Sequence, residues 1–128
     1  MISISDKSRI AVDALIELGG RNSGEPVPIL EIAERRAVAV HVLEQIFASL
    51  RRAGILQSQR GVRGGYSLRR PASTVTVLEV VVAVDGPLDA SATGIWGDAR
   101  DALVALLAGE TIASLLDRER QSAPMFHI

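Results

Sequence analysis

The chain has 128 residues, 48% hydrophobic and 23% charged, with no cysteine, a size and apolar content that suit one soluble domain burying roughly two-thirds of its unfolded surface. Fourteen Lys and Arg stand against fifteen Asp and Glu for a net charge of -1, which excludes a disordered polyelectrolyte and a uniformly basic coat. The missing cysteines exclude disulfides, thiolate zinc sites, cysteine-held iron–sulfur clusters and thiol nucleophiles, and no run is long and apolar enough to read as a membrane span.

The first helix is predicted from about Ser5, a good N-cap, through Ile10, Ala14, Leu15 and Leu18 on one face, to a stop at Gly19-Gly20. Its charges (Asp6, Lys7, Arg9, Asp13, Glu17) are not those of a signal peptide, and a cytoplasmic protein is expected. Residues 21–28 (RNSGEPVP) read as turn. A short helix follows near Ile29 to Arg35. A longer one runs from about Val40 to Ala53, with Val40, Leu43, Ile46, Phe47 and Leu50 as its apolar side and Gly54 as its stop. Two short strands, Ile55 to Ser58 and Tyr66 to Arg69, flank a loop containing Gly61, Gly64 and Gly65. Two helices joined by a tight turn and followed by a basic hairpin make a winged helix-turn-helix, in which one helix enters the major groove and the hairpin reaches the neighbouring backbone or minor groove.

Residues 74–84 (TVTVLEVVVAV) have the β-branched content of a strand, but Thr76-x-x-Glu79 is a capping box and favours a helix. From Ile95 to Ala108, the residues Ile95, Ala99, Ala102, Leu103 and Leu106 fall along one side. Gly109 ends that run, and Thr111 can cap a last helix bearing Ile112, Leu115 and Leu116. So broad a stripe in so small a chain calls for a partner. The fold expected is mainly α with a small β-wing: a winged helix-turn-helix over residues 1–72 and a helical region over residues 73–128, packed as one unit.

Charge is divided along the chain. Residues 1–70 hold 11 Lys/Arg and 7 Asp/Glu, whereas residues 71–128 hold 3 and 8. Residues 51–70 carry six arginines (Arg51, Arg52, Arg60, Arg63, Arg69, Arg70) and no acid, a block that either binds a polyanion or merely solvates a face. There is no cluster of acid, base and nucleophile, no phosphate-cradling loop ahead of a helix and no set of metal ligands around His41 or His127. Neither an enzyme nor a cofactor is expected.

The stretch Arg60-Gly61-x-x-Gly64-Gly65-Tyr66-x-Leu68-x-Arg70-Pro71 resembles the wing signature of the Rrf-two (Rrf2) family of winged-helix transcription factors. Supporting pieces are Ser5-x-Lys7-x-Arg9, Glu31-Ile32-Ala33-Glu34, Leu43-Glu44-Gln45-Ile46-Phe47-x-x-Leu50-Arg51-x-Ala53-Gly54, Trp96 and Thr111-Ile112-Ala113, so the resemblance covers nearly the whole chain. It implies a homodimeric DNA-binding regulator, most simply a repressor, reading a roughly palindromic promoter site in double-stranded DNA. The dimer would form on the helix carrying Ile95, Trp96, Ala99, Ala102, Leu103 and Leu106. Lys7 and Arg9 align with positions that touch phosphates, and Arg60, Gly61, Arg63, Gly64 and Gly65 with the wing, where glycine lets the backbone approach the duplex. Ala39, His41, Glu44, Gln45 and Arg51 fall on the recognition helix.

The chain departs from the family pattern in two places. Ala39, His41 and Val42 stand where the family commonly has serine, serine and tyrosine, so hydroxyls that contact DNA are missing and the helix start loses a cap worth about 1 kcal/mol. Glu44 and Gln45 are retained. Gln45 can pair with adenine, and Glu44 can either accept from a cytosine amine or bond a nearby arginine. In cluster-binding members a cysteine-containing loop precedes the dimer helix, whereas here only Leu88 to Ile95 separates Pro87 from Trp96. The resemblance therefore points to the cluster-lacking branch, with a small molecule or a protein as effector. The alternative is a protein-interaction adaptor with a degenerate DNA-binding surface, motivated by Val40 and Val42 in place of polar residues.

Overall fold

Local capping chemistry sets most of the helix boundaries. The computed structural model describes residues 2–21 and 24–122. In it, α1 (Asp6–Gly19) begins at Ser5, whose hydroxyl accepts a hydrogen bond from the Ser8 amide at 3.3 Å, and ends at Gly20. The second and third helices are α2 (Ile29–Arg36) and α3 (Val40–Arg52). Between them Ala37 adopts φ 55° and ψ 47°, the left-handed conformation that glycine usually supplies at a helix end. The Val38 amide then donates to the Ala33 carbonyl at 2.9 Å, which fixes the tight turn of the helix-turn-helix.

The wing is an antiparallel pair, β1 (Leu56–Gln59) and β2 (Gly65–Leu68), with Leu56 opposite Leu68 and Gln59 opposite Gly65. Each strand starts one residue away from its expected position. Val27, inside the stretch read as turn, exchanges two backbone hydrogen bonds with Tyr66, at 2.8 and 2.9 Å, and gives the wing a one-residue edge partner. Flanking Pro26 and Pro28 mask that pairing in the sequence.

After a 3₁₀ turn at Ala72–Thr74, α4 (Val77–Asp85) starts on the expected capping box, with Thr76 accepting from the Glu79 amide and the Glu79 carboxylate accepting from the Thr76 amide. The helices α5 (Gly94–Ala108) and α6 (Ile112–Ser122) follow. The starts of α4 and α6 are joined by two 2.9 Å backbone bonds, Val77 N–H to the Glu110 carbonyl and Ile112 N–H to the Val75 carbonyl.

One core takes Leu15 from α1, Ile32 from α2, Leu43, Phe47 and Leu50 from α3, Ile55, Leu56, Val75, Val80 and Ile112. A smaller cluster of Val77, Val81 and Leu88 receives Leu103, Val104 and Leu107 of α5. One position expected on an apolar side is corrected: Val40 is exposed, whereas Val42 and Leu43 of the same turn pack on the core and Ile10 of α1 is half-buried against it. No helix among the described residues is long and apolar enough to cross a membrane.

Candidate nucleic-acid interface

The side of α3 turned away from Leu43, Ile46, Phe47 and Leu50 presents His41, Glu44, Gln45 and Arg52, with Val40 and Arg51 exposed at its edge and Ala39 exposed just ahead of it. Among the described residues, the side chains of His41, Glu44 and Gln45 make no hydrogen bond or ion pair. The structure thus leaves Glu44 free and pairs no arginine with it. A free carboxylate and a free amide one helical turn from a histidine form a row of donors and acceptors matched to base edges. Ala39 makes no side-chain cap, as its methyl requires.

Arg51 donates to the Ser58 hydroxyl at 3.1 Å and so ties the end of α3 to β1. The wing itself is seated by Tyr66, whose ring meets Phe47 edge-on with centroids 4.9 Å apart. At the wing tip Arg60, Gly61, Val62 and Arg63 are all exposed, and neither arginine is paired. The three wing glycines have different reasons to be there. A Cβ on Gly64 would lie 2.2 Å from the Gln59 carbonyl oxygen, and one on Gly65 would lie 2.3 Å from the Val27 carbonyl oxygen. The wing's own packing therefore requires glycine at both positions. Gly61, at φ 110° with nothing within 4 Å, is the one left open.

Lys7 and Arg9 stand exposed and unpaired on the first turns of α1. That end of α1 is fixed by Asp85 at the end of α4, whose carboxylate accepts from the Ser5 amide at 2.9 Å, the Ser5 hydroxyl at 2.6 Å and the buried Ser8 hydroxyl at 2.8 Å. Burial pushes the Asp85 carboxyl up, but these hydrogen bonds, with Lys7 nearby, outweigh it and hold the group below its ordinary range. Arg70 is the member of the arginine block drawn inward. It donates to both Glu79 oxygens, at 2.8 and 2.9 Å, and to the Thr74 carbonyl.

On α5 the structure divides the expected stripe. Ile95, Trp96 and Leu106 are 68%, 69% and 60% exposed, with Ala99 and Ala102 exposed beside them, whereas Leu103 turns onto α4. Sequence reasoning overlooked two apolar side chains on the helix-turn-helix and wing surface, the exposed Leu30 of α2 and the fully exposed Val62. The wing turn flanking Val62 with Gly61 and Arg63 was the signal that could have found the second. His127 lies outside the described residues.

Comparison with known proteins agrees with this geometry. The Rrf2 family, described as "Iron-dependent Transcriptional regulator", matches residues 4–94. The HTH-type transcriptional regulator IscR of Escherichia coli O1:K1 is 32% identical over 131 residues, covering 91% of this chain and 81% of its own length. CymR (YrzC), the global cysteine regulator of B. subtilis, superposes with a TM-score of 0.84 at 28% identity, over 92% of this chain and 98% of CymR. IscR of T. potens superposes with a TM-score of 0.83 at 28% identity, over 98% of this chain and 95% of its own. The residues present do not fit the iron in the family's description: the chain has no cysteine, and no three His, Asp or Glu converge among the described residues.

Proposed function

The chain belongs to the Rrf2 family of winged-helix transcriptional regulators, and from that premise we propose that it is a homodimeric repressor acting in the cytoplasm on a roughly palindromic promoter site. The observation that carries this reading is the unpaired row His41, Glu44 and Gln45 on α3 beside the unpaired Arg60 and Arg63 of the wing. The row reads base edges, the wing arginines enter the neighbouring minor groove, and Lys7 and Arg9 set register on phosphates. Residues 1–72 form the DNA-binding part and residues 73–128 the dimerisation region. The exposed side of α5 supports the latter, since a twofold axis there would cover its apolar residues and set two recognition helices at half-site spacing. With no cysteine in the chain and no group of three His, Asp or Glu among the described residues to hold iron, the effector is read as a small molecule or a protein partner.

The test is fluorescence anisotropy of the full chain on a duplex from upstream of its own gene and on a scrambled duplex of equal length, at several salt concentrations. If each subunit neutralises about four phosphates, the log–log salt slope of the dimer is near -7, at roughly -0.9 per contact. The native duplex binds more tightly, and Arg60→Ala weakens that binding by about 1–3 kcal/mol. Salt-independent affinity rejects the reading, and equal weak binding to both duplexes favours the protein-interaction adaptor.

A further inference from the structure

We propose that the first turn of α3 reads thymine 5-methyl groups in the major groove, with Val40 as the residue that determines this specificity and Ala39 beside it. The inference rests on the DNA-binding reading above and adds a rule of base choice to it.

Val40 is 36% exposed and joins neither hydrophobic cluster, whereas Val42, two residues on, packs against the core. Ala39 is exposed and caps nothing. The turn ahead of His41 therefore offers a base edge two apolar side chains and no side-chain donor or acceptor. A recognition helix meets base edges with its N-terminal residues, and thymine is the one base that shows an apolar group in the major groove. At the other end of α3 stand Arg51 and Arg52, and the arginine-rich block that begins there contains no acid, so the helix carries positive charge toward a polyanion.

Spacing along the helix makes the rule specific. Val40 and Glu44 are one turn apart on the exposed face, separated by about 6 Å along the helix axis at about 1.5 Å per residue. At about 3.4 Å per base step, that distance covers about two base pairs. The thymine read by Val40 is thus expected about two base pairs from the cytosine whose amine Glu44 accepts.

The experiment begins with selection of fluorescein-labelled duplexes, randomised over roughly 20 base pairs, on the full chain. The consensus duplex is then rebuilt with deoxyuridine at each thymine in turn, which removes the methyl and nothing else. We expect one thymine per half-site at which the change weakens binding about three- to tenfold. Val40→Ala should bring the thymine-to-uracil ratio at that position close to one, and Val40→Thr, which keeps one methyl, should leave it intermediate. Because Val40 is exposed, both variants should keep the parent's melting temperature. The inference is overturned if every thymine can be replaced without loss, or if Val40→Ala leaves the ratio unchanged. Either result leaves the regulator reading standing, whereas weak binding with no selected sequence rejects both.

Discussion

Arg60 and Arg70 carry the same charge ten positions apart and do different work. Arg60 extends from the wing tip unpaired, while Arg70 closes a fork on Glu79 and locks the end of the wing to the start of α4. The Arg70 hydrogen bonds hold the Glu79 carboxyl down at about 2 from 4.5, against burial and with help from the Thr76 amide. A carboxyl whose folded pKa is depressed stabilises the fold above its unfolded pKa, and this contribution is lost as pH falls through the folded value. Glu79→Gln should therefore melt about 2–4 °C below the parent near neutral pH, a small gap because both side chains are partly solvated and screened. The gap should close as pH falls from about 4.5 toward about 2, and a gap that stays constant over that range would remove the ion pair as its cause. The sequence identified the arginine block but could not sort its members. Which guanidinium is free depends on where an acid nine residues away is placed by the capping box of another helix.

At the scale of elements, signals carried by neighbouring residues were legible. Ser5, Gly54, the Thr76–Glu79 box and Gly109 mark the ends of helices as their chemistry predicts. Features that depend on a distant segment were not. The glycines of the wing announce a turn, but only the fold shows that Gly65, at φ 151°, makes room for the Val27 backbone 38 positions earlier in the chain. Gly65→Ala must both strain the backbone and push Val27 out of its pair with Tyr66, so it should destabilise the fold by about 2–4 kcal/mol in urea denaturation. Gly61→Ala meets no atom within 4 Å and bears only the cost of its positive φ, about 1–2 kcal/mol. Equal losses for the two variants would contradict the assignment of Gly65 to internal packing. The exposure of Val40 escaped the sequence for a related reason: helical periodicity places it at the edge of the apolar side, and whether an edge position is covered depends on the segments packed around it.

For the whole molecule, the question is what α5 does with its two sides. Periodicity alone put Leu103 and Ile95 in one stripe. At about 100° per residue, however, they lie about 80° apart around the axis, enough for Leu103 to pack on Val77, Val81 and Leu88 while Ile95 stays in solvent. The two sides should respond differently to a charge. Leu106→Glu acts on an exposed residue and should leave a folded monomer, whereas Leu103→Glu sets a charge in the half-buried contact with α4 and should lower the melting temperature. Sedimentation across a range of concentrations, with circular dichroism on the same samples, separates these outcomes. Trp96, the sole tryptophan, is 69% exposed in the single chain, so its emission should shift to the red on dilution of the parent and already be red in Leu106→Glu. Association also bears on DNA binding, because a monomer brings one recognition helix and one wing to the duplex. The salt slope of Leu106→Glu should fall to about half that of the parent, near -3.6 instead of about -7. A variant that sediments as a monomer and keeps the full slope would mean that all the phosphate contacts come from one subunit, and the twofold arrangement on DNA would have to be abandoned.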